Sequence, residues 1–170
     1  MKRAIISIFL VLGALITNGQ VKFEAQVGGS NFLGMSLNTA FDIPLLENGN
    51  HFIVPNLGLG ILLPGWDVPT CIIHTGLNYR YKKWGIGSEV SGFTKNPFSG
   101  KDEFVNPDVD MIIYPNANYT LTTNKNWYFR ISAGAYFAFS KYSDYELNVS
   151  KMEFEGDVIP GAGLSAGLKF

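Results

Sequence analysis

Cysteine, histidine and charge are all scarce in this chain, and each scarcity removes a class of chemistry. Cys71 is the only cysteine among 170 residues, so no disulfide can form within the chain. Its expected role is that of a small buried or lipid-facing apolar side chain. His51 and His74 are the only histidines, and no His/Cys/Asp grouping has zinc-ligand spacing. Neither a metal nor another cofactor is therefore expected. Charged residues make up 16% of the chain and the formal net charge is -1. Soluble domains usually carry roughly 25% charge, and a chain so nearly neutral has no global field to attract nucleic acid. The 19 glycines alternate with apolar residues instead of forming a phosphate-binding loop, a pattern that suits strands.

Long apolar runs are scarce too. The single one, Ala4–Ile16, follows Lys2 and Arg3 and precedes Thr17-Asn18-Gly19. This is the layout of a cleavable secretory signal over residues 1–20, and the run is short of the roughly 20 residues a membrane-crossing helix needs. With no cysteine at the cleavage site, a lipoprotein is not expected. Residues 21–170 hold no second run of that kind, so no transmembrane helix is available there.

What they hold is alternation with a period of two, which marks strands with two unlike faces. In "VKFEAQV", Val21, Phe23, Ala25 and Val27 oppose Lys22, Glu24 and Gln26. The same pattern returns over 33–42, 53–63, 71–81, 84–91, 109–121, 127–140 and 158–170. Eight such segments predict an all-β, eight-stranded antiparallel up-and-down transmembrane barrel, whose strands are typically ~10 residues long. Lys82-Lys83 joins two segments tightly, and pairing Tyr81 with Trp84 keeps both apolar columns on one side. "NKN", Asn124–Asn126, makes a second tight turn. Long outer loops are expected at 94–108 and 141–157, and short ones around Gly29-Ser30 and "PGWDVP". Short turns on one side and long loops on the other are the asymmetry of outer-membrane barrels.

Which face meets lipid is decided by the polar column. It is mostly Gly, Ser, Asn, Thr and Tyr, whereas a water-exposed face is rich in lysine and glutamate. Small residues suit the crowded interior of an eight-stranded barrel. Its charges balance: Lys22, Arg80, Arg130 and Lys169 against Glu24, Asp42, Glu89 and Asp110. Buried charges persist only when paired. An interior polar network of Glu24, His74, Arg80, Glu89, Asp110 and Arg130 is therefore expected to plug the barrel. In the hairpin register Glu89 lies opposite Gly76, close to His74 and within reach of Arg80. Phe23, Phe41, Tyr79, Tyr81, Trp84, Tyr119, Trp127 and Phe170 gather at the inner end, where an interfacial belt would form. A soluble lipocalin-like barrel, with its apolar face turned inward, is the alternative.

These features resemble the small outer-membrane barrel families typified by OmpA, OmpX and OmpW, and the PorT-like barrel proteins. The resemblance covers residues 21–170 and includes the terminal aromatic of "GAGLSAGLKF". It implies insertion by the barrel-assembly machinery, which reads a final strand ending in Phe. Leu168 and Phe170 fit that pattern, while Ser165 stands where glycine is commonest. The implied location is the outer membrane of a Gram-negative bacterium, in contact with its lipid and lipopolysaccharide.

No catalytic group points at lipid. His74, Ser91 and Glu89 form the only candidate set, and they face the lumen, out of reach of an acyl chain. The expected function is therefore non-enzymatic and carried by surface loops, in adhesion, envelope integrity or partner binding. Tyr142, Tyr145, Met152 and Phe154, in the acid-rich segment 141–157, are the contact candidates. A narrow small-solute channel and an accessory subunit of a secretion or assembly complex are the alternatives.

Overall fold

Strands that alternate apolar and polar side chains can satisfy their backbone only by pairing, and a sheet closed on itself leaves no edge. A computed structural model describes residues 19–46, 49–62, 70–95, 109–123, 126–144 and 149–170. The strands are β1 (Gln20–Gly28), β2 (Gly34–Pro44), β3 (His51–Leu62), β4 (Thr70–Tyr81), β5 (Trp84–Lys95), β6 (Met111–Thr122), β7 (Trp127–Asp144) and β8 (Val149–Lys169). Each pairs antiparallel with the next, and β8 returns to β1 through Lys22↔Lys169 to Gly28↔Gly163, closing an eight-stranded barrel. The segment read as a secretory signal falls, but for its last two residues, outside the described residues.

The β4–β5 hairpin has the register expected from the sequence: Tyr81↔Trp84, Gly76↔Glu89 and His74↔Ser91. Lys82 takes a left-handed φ of 54° to make the two-residue turn, and Asn126 does the same at 61° in the β6–β7 turn. The polar column faces inward. Lys22, Glu24, Gln26, Asn38, Asp42, Asn78 and Glu89 are all buried, while Leu37, Leu57, Leu59, Ile86 and Leu164 are 60–73% exposed. The barrel is thus apolar outside and polar inside.

Inside, large and small side chains alternate around the wall. Asn38 faces Gly58, Asn56 faces Gly76, Asn78 faces Gly87, Asn118 faces Gly85 and Tyr128 faces Gly167. At Gly58, an added Cβ would lie 1.8 Å from Asn38 Oδ1. Eight strands enclose only enough room for side chains, so each bulky polar group needs an empty neighbour.

Two expected loops are corrected. Segment 141–157 is mostly strand: β7 and β8 stay paired as far as Asp144↔Val149, leaving only 145–148 between them. The acids that suggested a loop, Glu153, Glu155 and Asp157, alternate with Met152, Phe154 and Val158. That is a strand pattern, acidic on one face and apolar on the other. Gly156, at φ 86°, lies in an irregularity of the ladder opposite Phe137/Phe139. Met152 and Phe154 therefore sit on β8, not on a loop. Tyr142 lies on β7, and Tyr145 falls outside the described residues. Segment 94–108 begins as β5 through Lys95, and 96–108 lies outside the described residues, as do the side chain of Tyr142 and the whole of "PGWDVP".

The second correction concerns Gly29-Ser30. This connection does not form an outer loop but dives into the lumen. Gly29–Asn31 forms one 3-10 turn whose residues are all buried, Ser30 and Asn31 at 0% exposure. The turn reaches β1, β2, β4, β5, β6, β7 and β8. Gly28 and Gly29 make the inward bend at φ 69° and 60°, values that side chains rarely tolerate. Gly163 on β8 clears space for it, since a Cβ there would meet Gly29 N at 2.7 Å.

Candidate functional site: the filled lumen

Three layers of side chains fill the barrel. At the inner end, Asp42 holds two cations: Lys22 Nζ lies 2.5 Å from Oδ1 and Arg80 Nη2 2.6 Å from Oδ2. The Arg80 guanidinium also stacks on Phe52, 4.4 Å from its centroid.

The middle layer centres on Arg130 of β7. Its Nη2 donates to Glu24 Oε1 at 2.8 Å and its Nη1 to Glu89 Oε1 at 3.0 Å. Tyr128 Oη donates to Glu24 Oε2 at 2.8 Å, Asn38 Nδ2 to Gln26 Oε1 at 2.9 Å, and Gln26 Nε2 to Glu89 Oε2 at 3.1 Å. One guanidinium thus ties β1, β5 and β7 across the lumen. Such charge-assisted bonds are roughly twice as strong as neutral ones. Their net contribution is small once desolvation is subtracted, so the network fixes geometry more than it adds stability.

The outer layer is the buried turn. Ser30 Oγ lies 2.6 Å from His74 Nδ1, and Ser91 Oγ 3.4 Å from the same nitrogen. Asn31 Nδ2 donates to Ser36 Oγ at 2.8 Å. Above it sits an apolar cap of Ile112, Tyr114 and Tyr136, packed against Phe32, Phe93 and Val109.

Of the expected network residues, Glu24, Glu89 and Arg130 meet directly, and His74 joins them through Ser30. Arg80 does not reach Glu89; it bonds Asp42, because register brings residues together along the wall and Asp42 on β2 comes nearer. Asp110 is not in the network at all. It precedes β6, and its Oδ2 accepts from Lys141 N at 2.5 Å in an exposed position. Gln26, Ser30, Asn38, Asp42, Tyr114 and Tyr128 complete the filling. Their signal was membership in the inward column, except for Ser30, which had none.

Ser30, His74 and Glu89 carry the residue types of a hydrolytic triad without its order. Serine and histidine meet at Nδ1, the carboxylate touches the serine at 3.4 Å, and His74 Nε2 has no partner among the described residues. All three are 0% exposed, and a general base must reach its substrate. Among the described residues no group of three or more His, Cys, Asp or Glu side chains is placed to hold a metal.

Exposed aromatic side chains gather at the end bearing the tight turns. Phe23, Tyr79, Tyr81, Trp84, Trp127 and Phe170 are exposed there; Trp84 packs edge-on to Tyr119 at 4.7 Å and Phe23 to Phe170 at 5.7 Å. His51 Nδ1 lies 2.6 Å from Tyr79 Oη in the same zone. Comparison with protein-family models, curated proteins and solved structures returns no match.

Proposed function

We propose that this chain is an integral outer-membrane barrel with no catalytic role, acting through the β7–β8 ribbon that rises beyond its rim. The observation that carries the reading is the inverted polarity of the wall. Charged and amide side chains are buried and a continuous band of leucine, isoleucine and valine is exposed. A soluble monomer rarely exposes a contiguous apolar patch larger than a few hundred Å², and a lipocalin-like barrel turns its apolar face inward. No helix among the described residues is long and apolar enough to cross a membrane, but a barrel crosses with strands.

Aromatic side chains support the placement at both edges of the band. The inner belt is set by Trp84, Trp127 and their neighbours. On the outer side Phe154 packs 6.0 Å from Phe137 and 5.5 Å from Phe139. From Trp127 to Phe139, a strand tilted about 40° rises roughly 30 Å, close to the ~25 Å apolar band of transmembrane barrels. The chain would then contact lipid and lipopolysaccharide, and reach its place through the barrel-assembly machinery.

Beyond that level the ribbon stands clear. β6 pairs with β7 only as far as Met111↔Phe139, and β1 with β8 only as far as Gly28↔Gly163. Residues 152–160 of β8 are exposed on both faces, with Glu153, Glu155 and Asp157 on one and Met152, Phe154 and Val158 on the other. Methionine and aromatic side chains are enriched at contact surfaces, and Met152 and Phe154 both stand exposed on the ribbon. The test is to shorten the ribbon by deleting 142–151. The barrel should still assemble and the phenotype of the intact gene should be lost; an unchanged phenotype would remove the ribbon from the function.

A further inference from the structure

One region of the lumen is not filled. A cavity of about 20 Å³ lies in the inner half, lined by Lys22, Glu24, Asn78, Arg80, Tyr128 and Arg130 among others. We propose that it binds a small monovalent anion, chloride being the simplest. This inference stands whether or not the barrel crosses a membrane.

The donor set leads there. Asn78 Nδ2, Arg80 Nε and Arg130 Nε are buried and lack a hydrogen-bond partner among the described residues. These residues are more than nine-tenths buried, at 3%, 8% and 8% exposure, and all three line the cavity. Every unpartnered polar atom of the lining is thus an N–H donor, two of them on guanidiniums. The unpartnered acceptors, Oδ1 of Asn31, Asn38 and Asn56, and the unpartnered ring nitrogen Nε2 of His74 belong to residues outside the lining. Leaving a buried donor unsatisfied costs about 1–3 kcal/mol, more on a charged group. A water molecule accepts two such bonds and leaves the third donor unmatched, whereas an anion accepts all three.

Charge agrees. Lys22, Arg80, Arg130 and Lys169, the last with its Nζ 5.9 Å from the centroid of the Tyr128 ring, stand against Glu24, Asp42 and Glu89 inside the barrel, leaving one positive charge in excess. Size sets the class of ligand. A water needs roughly 10–15 Å³ in this measure, so the cavity takes a monatomic ion and has no room for phosphate or sulfate.

The test is diffraction from the full chain crystallised in bromide, at the bromine absorption edge, beside urea unfolding in chloride and in gluconate at equal ionic strength. The expected results are an anomalous peak within hydrogen-bonding distance of Arg80 and Arg130, and an unfolding midpoint that rises saturably with chloride but not with gluconate. Arg80→Gln should abolish both. Should Arg80→Gln fail to fold, Val54→Leu decides, because it fills the cavity with one methylene and leaves every charge in place; both signals should vanish in it. Density without anomalous signal means water only and overturns the proposal. So does a peak that survives Val54→Leu, or one without any chloride effect in solution, which would be binding at crystal concentration only.

Discussion

At the scale of single residues the barrel depends on a few side chains whose partners lie across the lumen. Arg130 is the clearest case, since Glu24 and Glu89, at 5% and 0% exposure, share it. Removing one partner of a buried ion pair costs about 3–5 kcal/mol. Arg130→Met should therefore lower the unfolding free energy in urea by about that amount, whereas Glu153→Gln on the exposed ribbon should stay within ~0.5 kcal/mol. Gly163 is a second case. The Cβ of Gly163→Val would press on Gly29 N and Ser132 Oγ, both at 2.7 Å, and overpacking of this kind costs about 1–3 kcal/mol. Protection of the Ser30 and Asn31 amides from hydrogen exchange should fall in that variant if the buried turn is displaced. How legible such residues are follows from geometry. Gly76 opposite Glu89 could be counted outward from the Lys82-Lys83 turn. Arg130 and Glu24 sit on strands separated by β8, and the closing pairing of β8 with β1 has no tight turn from which its register could be counted.

At the scale of elements, alternation located every strand, and the errors fell at the ends. The acids of β8 resembled a solvated loop because only one face of the ribbon there packs against apolar groups. The Gly28-Gly29 pair looked like an ordinary surface turn, since nothing in its composition tells an outward bend from an inward one. That inward turn predicts a behaviour of its own. In planar bilayers the intact barrel should give no stable conductance steps, because the buried turn closes the lumen. Replacing residues 29–33 with a two-residue hairpin turn should produce steps whose ion selectivity changes with Glu89→Gln. Continued silence of that variant would put the barrier at the Arg130 layer instead.

At the scale of the whole molecule, the inverted wall makes the strongest demand. Its apolar band and buried charges are stable together only if something other than water surrounds the barrel. Leu57, 60% exposed on the outer face of β3, distinguishes the surroundings. In a membrane, Leu57→Arg should cost about 2–4 kcal/mol near the midplane; on a water-facing wall the same change would fall within ~0.5 kcal/mol. The most direct measurement is simpler: electrophoresis of the outer-membrane fraction in SDS, with and without boiling. A closed lipid-embedded barrel should be found in that fraction, resist SDS when unboiled and shift its apparent mass on boiling. A protein recovered from the soluble periplasm, migrating identically in both lanes, would contradict the membrane reading and leave its exposed leucines to be covered by another protein.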